Sequence, residues 1–363
     1  MAPISFARGV PAPECLAVSE LADCARAAIE RDGAAVLSYG APGGYAPLRE
    51  WLADRHGVEP GQVVLTNGGL QGIAFVAEAL LARGGRRVLV EGPTYDRTLT
   101  ILDRLGAEVD AVPMDDEGLD VEALAAALDA GPPPAFLYTI PTFQNPSGRT
   151  LGSERRRRLV ELAAERDLTV LEDDPYGLVR FEGEAPPALF ELGEARVVYA
   201  SSFSKTVAPG LRVGYFVLPA ALVTPVEALA VSATISPVLV GQATVCELIR
   251  RGGFEPNLER VRALLRERRD AMLEALEREL PDGLRWSRPA GGYFVWLELP
   301  EGTDAGELLE RALAAGVVFV KGEDFFPRGD GGRSSARLAY SFVSPGEIAE
   351  GVARLAAVLP ARV

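Results

Sequence analysis

From about residue 60, short runs of β-branched and aromatic residues alternate with longer segments whose apolar residues follow a helical period. Five of these runs are predicted strands, at 62–65, 87–90, 135–138, 168–171 and 196–199. The run at 88–90 shows no polar alternation, which is typical of a strand buried on both faces. The alternation therefore predicts an α/β domain, with a mostly parallel sheet covered by helices on both sides.

Polar residues stand at or just past the carboxyl ends of the predicted strands. They are Thr66, Glu91, Thr139, Asp173 and Ser201. Ligands of parallel α/β sheets bind beyond the carboxyl ends of the strands, where the connecting loops meet. These positions are therefore the first candidates for a binding site.

After about residue 240 the pattern changes to a long charged helix, predicted over 257–279. Shorter strand and helix patterns follow, at 291–299, 305–315, 317–320 and 336–342. This order predicts a second, smaller α+β lobe. Four consecutive arginines at 155–158 lie within a predicted helix and point in different directions, so we expect them to form a solvated face.

Composition and charge narrow the function classes. The 363 residues are 48% hydrophobic and 24% charged, which fits a globular protein of two lobes. The net charge of -14 repels phosphates, so nucleic acid and anionic membrane surfaces are disfavoured as partners. The cysteines lack metal-ligand spacing, no apolar run approaches about 20 residues, and no leader pattern is present. We therefore expect a cytoplasmic protein without a disulfide framework or a zinc site.

The segment 201–212 carries the most specific chemistry in the chain. Lys205 stands between serines near a strand end, and Arg212 follows it. A deprotonated lysine amine condenses with an aldehyde to form a Schiff base, while Ser202, Ser204 and Arg212 offer two hydroxyls and a planar cation to a phosphate. The combination predicts pyridoxal phosphate as the cofactor. Taken alone, a lysine in a serine-rich turn is more often solvated surface.

Further segments, in a fixed order, support this interpretation. They are 4–11 (ISFARGVP), 39–49, 66–72 (TNGGLQG), 91–95 (EGPTY), 141–148 (PTFQNPSG), 171–177 (LEDDPYG), 291–296 (GGYFVW) and 337–341 (RLAYS). Together with the lysine segment, this series resembles the fold-type I aminotransferases of class I and II, particularly the branch that contains the 2-aminoadipate and aromatic aminotransferases. The resemblance covers nearly the full length of the chain.

The resemblance implies the fold of the type I pyridoxal-phosphate transferases. A large domain, with a seven-stranded sheet sandwiched by helices, is expected over residues 34–238. The amino-terminal arm, 1–33, is expected to pack with the carboxyl-terminal α+β lobe, 239–363, and to form the small domain with it.

The resemblance also assigns residues to the cofactor. Asp173 is expected at the pyridine nitrogen, where a carboxylate raises the pKa of that nitrogen and keeps it protonated. Tyr176 and Asn145 are expected at the phenolic oxygen, with Asn145 also near the substrate. Glu172 and Asp174 compete with Asp173 for its role, and an acidic cluster that caps a turn is the alternative interpretation of both.

The phosphate is expected at the start of a helix after the strand 62–65, where backbone N–H groups are free. Relatives usually carry Gly-Ser-Gln at this point. Here Gly68 is followed by Gly69 and Leu70, which leaves backbone donors as their contribution.

Three more residues of the loops are candidates. Tyr95 is expected to stack on the pyridine face, with an aromatic core residue as the equally weighted alternative. Tyr39 is expected to reach the phosphate of the neighbouring subunit's cofactor, which implies a homodimer with shared active sites. Gly40, next to it, is expected near the substrate.

Arg337, at the start of a short apolar strand, is expected to clamp the α-carboxylate of the substrate. A surface arginine on a strand edge is the alternative. Arg8 stands where the family commonly has glycine, and its side chain is expected either to contact the substrate side chain or to point to solvent. Lys321 stands where proline is commoner, and these departures favour an atypical substrate. The only histidine, His56, lies in a polar segment, so neither a Ser-His-Asp hydrolase nor a histidine metal site is expected.

The expected reaction is a ping-pong transfer of an amino group from an L-amino acid to a 2-oxo acid, for which the resemblance favours 2-oxoglutarate. Lys205 acts as the general base that removes the α-proton. The closest alternative is a lyase or cyclase that uses the same cofactor on a specialised amino acid. A nicotinamide-dependent oxidoreductase is disfavoured, because Leu70 replaces a required glycine. The effector lobe of a transcription regulator is disfavoured too, because the reactive residues are intact and we expect no DNA-binding domain ahead of them.

Overall fold

The structure, a computed structural model, describes residues 3–83, 85–193 and 195–359. The strands of these ranges are β1 (Ile4–Ser5), β2 (Val63–Thr66), β3 (Arg87–Gly92), β4 (Glu108–Asp115), β5 (Gly118–Leu119), β6 (Phe136–Thr139), β7 (Val170–Asp173), β8 (Val197–Ser202), β9 (Gly214–Val217), β10 (Arg285–Trp286), β11 (Phe294–Glu298), β12 (Val317–Val318), β13 (Val320–Lys321) and β14 (Ser335–Ala339). The helices are α1 (Val18–Asp32), α2 (Ala34–Leu37), α3 (Ala46–His56), α4 (Gly69–Leu81), α5 (Asp96–Arg104), α6 (Val121–Asp129), α7 (Ser153–Glu165), α8 (Leu189–Gly193), α9 (Ala220–Thr234), α10 (Leu239–Arg250), α11 (Phe254–Glu279), α12 (Ala305–Ala314) and α13 (Pro345–Ala357).

Within the described ranges, the large sheet has the strand order β2-β9-β8-β7-β6-β3-β4-β5. The central strands β8, β7, β6, β3 and β4 run parallel, whereas β9 is antiparallel to both of its neighbours. The predicted α/β architecture with a mostly parallel sheet is thereby confirmed. The short strand β5 returns antiparallel from β4 and adds an eighth strand to the seven that were expected.

Both faces of the large sheet are buried. Val88 and Val90 of β3 belong to one apolar cluster, together with Phe136 of the neighbouring β6, whereas Leu89 and Leu137 belong to the cluster on the opposite face. Because successive side chains of a strand point to opposite faces, a strand between two apolar layers has no polar positions. The polar residues are left to the carboxyl ends of the strands.

The smaller lobe is built on an antiparallel sheet of order β10-β11-β14-β13, against which α11 and α13 pack. The amino-terminal strand β1 pairs with β12, and Phe6 is fully buried in the core of this lobe. Helices α1 and α10 pack against each other, and their Cys24 and Cys246 belong to a core of the large sheet. The domain limits at 33/34 and 238/239 stay a prediction.

Arg156 contradicts one expectation. The prediction that residues 155–158 form a solvated face is wrong for Arg156, whose side chain is 1% exposed. Its guanidinium donates hydrogen bonds to three backbone carbonyl oxygens and lies 3.7 Å from the carboxylate of Glu172. Arg156 shares the buried face of α7 with Leu159, one helical turn further on. Arg157, the next residue, is exposed as expected.

His56, at the end of α3, packs against the rings of Phe190, Tyr199 and Tyr215. Its Nε2 lies 3.3 Å from the hydroxyl of Tyr215. Burial, followed by the positive charge of Arg55, lowers the pKa of the imidazole to about 4. The histidine is therefore neutral at physiological pH, and it contributes to packing.

The described residues include no helix that is both long and apolar enough to cross a bilayer. Cys15, Cys24 and Cys246 are buried, and each is a free thiol. Burial raises the pKa of all three thiols, which keeps them protonated at neutral pH.

Candidate active site

A cavity of about 260 Å³ lies at the carboxyl ends of β7 and β8. Ten residues that the sequence predicts for the site line this cavity: Gly69, Leu70, Tyr95, Asn145, Asp173, Tyr176, Ser202, Ser204, Lys205 and Arg212. The rest of its wall is apolar: Val10, Ile73, Ile140, Pro175 and Pro209. The fold thus brings residues that are far apart in the sequence into one small space.

Lys205 lies in the turn that follows β8. Its Nζ donates a hydrogen bond to the carbonyl oxygen of Gly9, at 2.9 Å, and lies 5.1 Å from the ring centre of Tyr293. Burial, followed by the positive charge of Arg337, lowers the pKa of the Lys205 amine to about 8, although the charge of Asp173 opposes the shift. Near neutral pH a useful fraction of this amine is unprotonated, as a nucleophile or a general base requires.

Asp173 is the last residue of β7 and is 7% exposed. The hydroxyl of Tyr138, on the neighbouring strand β6, donates a hydrogen bond to Asp173 Oδ2 at 2.7 Å. Burial raises the pKa of the Asp173 carboxyl to about 7, and the hydrogen bond from Tyr138 acts in the opposite direction. A cation that enters the cavity stabilises this carboxylate in its ionised form.

The flanking carboxylates do not line the cavity. Glu172 accepts hydrogen bonds from the backbone N–H groups of the first two residues of α8. Asp174 accepts a hydrogen bond from the backbone N–H of Gly177. Both side chains therefore cap local backbone, in line with the alternative interpretation, and Asp173 is the carboxylate of the cavity.

Arg337 lies in the middle of β14 and is 7% exposed. Its guanidinium packs over the rings of Phe294 and Phe325, 4.3 and 4.9 Å from their centres. Nη1 donates a hydrogen bond to Asn145 Oδ1 and Nη2 donates to the carbonyl oxygen of Ala7, both at 2.9 Å. Nε is buried and has no hydrogen-bond partner within the described ranges. Burial lowers the pKa of this guanidinium. A carboxylate would supply both the negative charge and the hydrogen-bond acceptor that suit it.

The turn that carries Asn145 is fixed by the buried carboxylate of Glu91. Glu91 Oε1 accepts a hydrogen bond from the hydroxyl of Thr139 at 2.5 Å. Glu91 Oε2 accepts one from Gln144 Nε2 at 3.0 Å and another from a backbone N–H. Burial raises the pKa of this carboxyl. Glu91, one of the polar residues at the strand ends, thus stabilises the turn through hydrogen bonds. Its side chain does not line the cavity.

An anion site is built at the start of α4. Gly68 has a φ of 89°, and a Cβ at this residue would lie 2.2 Å from Arg212 Nη2, so only glycine lets the guanidinium approach so closely. The first N–H groups of α4 have no side-chain cap. Ser202 Oγ and Ser204 Oγ lie 2.8 Å apart in the same cavity. A helix start, a guanidinium and two hydroxyls suit a phosphate, so the residues present fit pyridoxal phosphate.

Five of the sequence candidates are not among the residues that line the cavity. Gly68 and Arg337 lie directly behind the lining, against Arg212 and Asn145 respectively. The other three are Tyr39, Gly40 and Arg8. The side chain of Tyr39 is 77% exposed, and a Cβ on Gly40 would lie 2.4 Å from Leu239. Arg8 is also exposed, with its guanidinium 3.9 Å from the ring centre of Phe342. The roles of Tyr39 and Gly40 in substrate and phosphate binding stay predictions.

Sequence reasoning missed Tyr138 and the carbonyl oxygens of Ala7 and Gly9. A tyrosine near the end of one strand becomes a candidate only when the strand order is known, and here Tyr138 lies opposite Leu171 on adjacent strands. Side-chain alternation then brings its hydroxyl to Asp173. The carbonyl oxygens carry no signal in the sequence, because every residue has one.

The family model for aminotransferase class I and II matches residues 13–355. The chain belongs to this family. The 2-aminoadipate transaminase of Thermus thermophilus is 42% identical over 361 residues, covering 98% of this chain and 90% of that protein. The aromatic-amino-acid aminotransferase 1 of Thermococcus litoralis is 36% identical, covering 97% of this chain and 87% of that protein. A solved structure of an alpha-aminoadipate aminotransferase from Thermus thermophilus, complexed with N-(5'-phosphopyridoxyl)-L-leucine, has a TM-score of 0.93 and 40% identity, covering 98% of this chain and 92% of that chain.

Family membership confirms the fold and the cofactor that the sequence predicts. The aminotransferase uses pyridoxal phosphate and transfers an amino group between an L-amino acid and a 2-oxo acid. The named relatives do not favour the lyase or cyclase alternative. Its substrates are therefore small molecules that carry an α-carboxylate.

Proposed function

We propose that this cavity is the catalytic site of the aminotransferase, in which Arg337 holds the α-carboxylate of the amino acid and Lys205 moves the α-proton. The observation that carries the proposal is the buried guanidinium of Arg337, which contacts Asn145 and whose Nε–H has no hydrogen-bond partner among the described residues. The amino-terminal arm links the two residues, because it accepts hydrogen bonds from both Arg337 and Lys205. An amino acid supplies the carboxylate that Arg337 lacks and presents its amino group toward Lys205.

Bound pyridoxal phosphate supplies an aldehyde that takes the amino group and a ring that accepts electrons when the α-proton leaves. Asp173, oriented by the Tyr138 hydroxyl, would hold the ring nitrogen in its protonated form. Tyr176 and Asn145 would hold the phenolic oxygen, and Tyr95 would cover the ring. The phosphate would be held by Gly68, Gly69, Leu70, Ser202, Ser204 and Arg212.

Lys205 carries the proton in this proposal. With a pKa of about 8, its amine is poised close to the pH at which a base is both unprotonated and strong enough. The carbonyl oxygen of Gly9 fixes the direction of Nζ through a hydrogen bond. The positive charges of Arg337 and Arg212 disfavour the protonated amine, so the proton is readily passed on.

We further propose a ping-pong order with 2-oxoglutarate as the amino acceptor. An amino acid and a 2-oxo acid present the same α-carboxylate, and Arg337, which contacts Asn145 of the cavity wall, is the proposed clamp for both. The two substrates must therefore use the site in turn. The named relatives act on 2-aminoadipate and on aromatic amino acids, which supports an L-amino acid donor and does not single one out.

We also propose that the enzyme is a cytoplasmic homodimer with shared active sites. Four strongly exposed apolar side chains lie on α2, on the end of α9 and on the segments next to these helices, and together they are called the exposed apolar cluster: 64% at Leu37, 77% at Tyr39, 56% at Ile235 and 56% at Val238. Helix α2 packs on α10, and the Val238 N–H donates to Asn67 Oδ1 beside the phosphate end of the cavity. Exposed apolar surface of this kind favours an interface, across which Tyr39 can reach the cofactor phosphate of the other subunit. The free thiols support a reducing compartment.

The test of the cofactor assignment uses the two lysines of the chain, Lys205 and Lys321. Borohydride reduction of the loaded enzyme should fix the cofactor to Lys205 alone, as an added mass on the peptide that contains it. Added mass on Lys321, or on neither lysine, would overturn the assignment.

The test of the reaction is a half-reaction without an acceptor. An L-amino acid should shift the absorbance of the bound cofactor in the parent and in the control Lys321→Ala, and it should leave Lys205→Ala unchanged. Ammonia release without that shift would show elimination instead of amino transfer. Conversion by Lys205→Ala at the parent's rate would remove this lysine from the mechanism.

A further inference from the structure

The amino-terminal arm runs beside the cavity, where Val10 lines it and the backbone of the preceding residues contacts Arg337 and Lys205. The carbonyl oxygen of Ala7 accepts a hydrogen bond from Arg337 Nη2, and that of Gly9 accepts one from Lys205 Nζ, each at 2.9 Å. Arg8 stands between these two contacts. Because successive Cα atoms are about 3.8 Å apart, the Cα of Arg8 is one residue away from both anchor points.

The side chain of Arg8 is exposed and forms no ion pair with any residue that the structure describes. Its guanidinium stacks over Phe342, 3.9 Å from the ring centre. Stacking on a ring face leaves the N–H edge of a guanidinium free for a planar anion. The chain has 51 acidic and 37 basic residues, so an arginine without an acidic partner at this place is available to an external carboxylate.

A substrate whose α-carboxylate binds Arg337 and whose amino group faces Lys205 has its Cα alongside the backbone of Arg8. A second carboxylate, about two or three methylene groups from that Cα, is a group that the planar guanidinium of Arg8 can bind with two parallel hydrogen bonds. We propose that Arg8 binds the distal carboxylate of a dicarboxylic amino acid, and of the matching dicarboxylic 2-oxo acid, and so makes the enzyme selective for acidic substrates. The inference rests on the proposed function, because that function supplies the other two anchor points.

Phe342 has a part in this recognition. The ring restricts the guanidinium of Arg8 to one place, which reduces the entropy that is lost when the distal carboxylate binds. Removing the ring while keeping the arginine should therefore weaken the selectivity for acidic substrates without abolishing it.

The experiment compares acidic and neutral donors in the half-reaction of the loaded enzyme. L-glutamate and L-2-aminoadipate are the acidic donors, and L-leucine and L-phenylalanine are the neutral ones. Arg8→Gln should lower kcat/KM for the acidic donors by about ten- to a hundredfold, mainly through KM, because it removes one charge-assisted contact. The values for neutral donors should stay within about twofold. Phe342→Leu should give a smaller loss, again confined to the acidic donors.

Arg157→Gln is the matched control, since Arg157 is exposed on α7 and the substitution makes the same change in net charge. Arg157→Gln should leave kcat/KM unchanged for both donor classes. This control separates the effect of a local contact with Arg8 from the effect of the overall charge of the protein. If Arg8→Gln lowered kcat/KM equally for acidic and neutral donors, Arg8 would have a structural role. If kcat/KM did not fall for either class, Arg8 would be a solvated surface residue. Either result overturns the inference. A parent enzyme that converts none of the four donors would instead count against the proposed function.

Discussion

Lys205 and Lys321 are the only lysines of the chain, and their surroundings shift their pKa values in opposite directions. Burial and the charge of Arg337 lower the pKa of Lys205 to about 8. The carboxylate of Glu323 raises the pKa of Lys321, which is partly exposed on the smaller lobe. With an ordinary lysine pKa near 10.5, about three hundred times less amine is unprotonated at pH 7 than with a pKa of 8.

We expect this difference to appear in the labelling of the cofactor-free protein by acetic anhydride. Acetylation of Lys205 should rise with pH through a midpoint near 8, whereas that of Lys321 should rise only at higher pH, because the pKa of Lys321 is raised. Arg337→Gln should move the Lys205 midpoint upward, because it removes a like charge. Peptide mass spectrometry follows both lysines in one sample, and equal midpoints would show that burial does not shift the pKa of Lys205.

At this scale the sequence predicts the residues that carry side-chain chemistry within short motifs. Lys205 and Asp173 are of this kind, and both line the cavity. It does not predict Tyr138, because the strand register that brings it to Asp173 is set by the packing of the whole sheet. It cannot predict that the carbonyl oxygen of Gly9 contacts Lys205, since a backbone oxygen is not a property of the residue type.

Helix α7 holds a buried cation against the large sheet. We expect Arg156→Met to lower the free energy of unfolding by about 3–5 kcal/mol, because Glu172 then loses its buried ion-pair partner and three carbonyl oxygens lose their donor. Arg157→Met, one position further on the same helix, should change it by no more than about 0.5 kcal/mol. Urea unfolding of both variants measures the difference, and similar midpoints would show that Arg156 is dispensable.

Glu91 holds the turn that carries Asn145, and its substitution is expected to change the stability of the protein. In Glu91→Gln, the amide nitrogen can donate to Thr139 while the amide oxygen accepts from Gln144 and the backbone, so the unfolding free energy should stay within about 1 kcal/mol of the parent. Glu91→Ala leaves these donors buried without partners and should lower it by about 3 kcal/mol or more.

The same pair of variants should differ in substrate binding. A loosened turn misplaces Asn145 against Arg337, so Glu91→Ala should raise the KM of the amino acid donor, and Glu91→Gln should not. Steady-state kinetics at saturating cofactor test this. A raised KM in both variants would mean that the negative charge of Glu91 matters, and not its hydrogen bonds.

The helices and strands agree with those predicted from the sequence, except that the predicted strands end too early at their carboxyl ends. The strands after residue 60 extend past their predicted limits, to Asp173 in β7 and to Ser202 in β8. Polar residues end an apolar run, although the backbone ladder continues through them. The burial of Arg156 did have a signal, because Leu159 lies one helical turn away on the same face of α7.

For the whole molecule, the exposed apolar cluster predicts an assembly. We expect the parent to sediment as a dimer and Ile235→Asp to sediment as a monomer, because a charge within an apolar interface is costly to bury. If Tyr39 binds the cofactor phosphate of the neighbouring subunit, the monomeric variant should be less active than the dimeric parent. Leu313→Asp is the control, since Leu313 is a 51% exposed leucine on α12 of the smaller lobe.

Analytical ultracentrifugation over a range of protein concentrations checks this prediction. A monomeric parent would contradict the homodimer, and a dimeric Ile235→Asp would place the interface elsewhere.

The two lobes are visible in the sequence as a change of pattern near residue 240. The assembly is not, because exposure of side chains such as Tyr39 depends on the complete fold.

A single imidazole makes the enzyme simple to follow by nuclear magnetic resonance, since every histidine signal comes from His56. Its ring lies among three aromatic rings, so their ring currents should shift its resonances well away from those of free histidine. The shifted signal should persist only while Tyr199 and Tyr215, on adjacent strands of the large sheet, stay in place. Melting of that sheet can thus be watched at one natural probe, without isotopic labelling and separately from the smaller lobe.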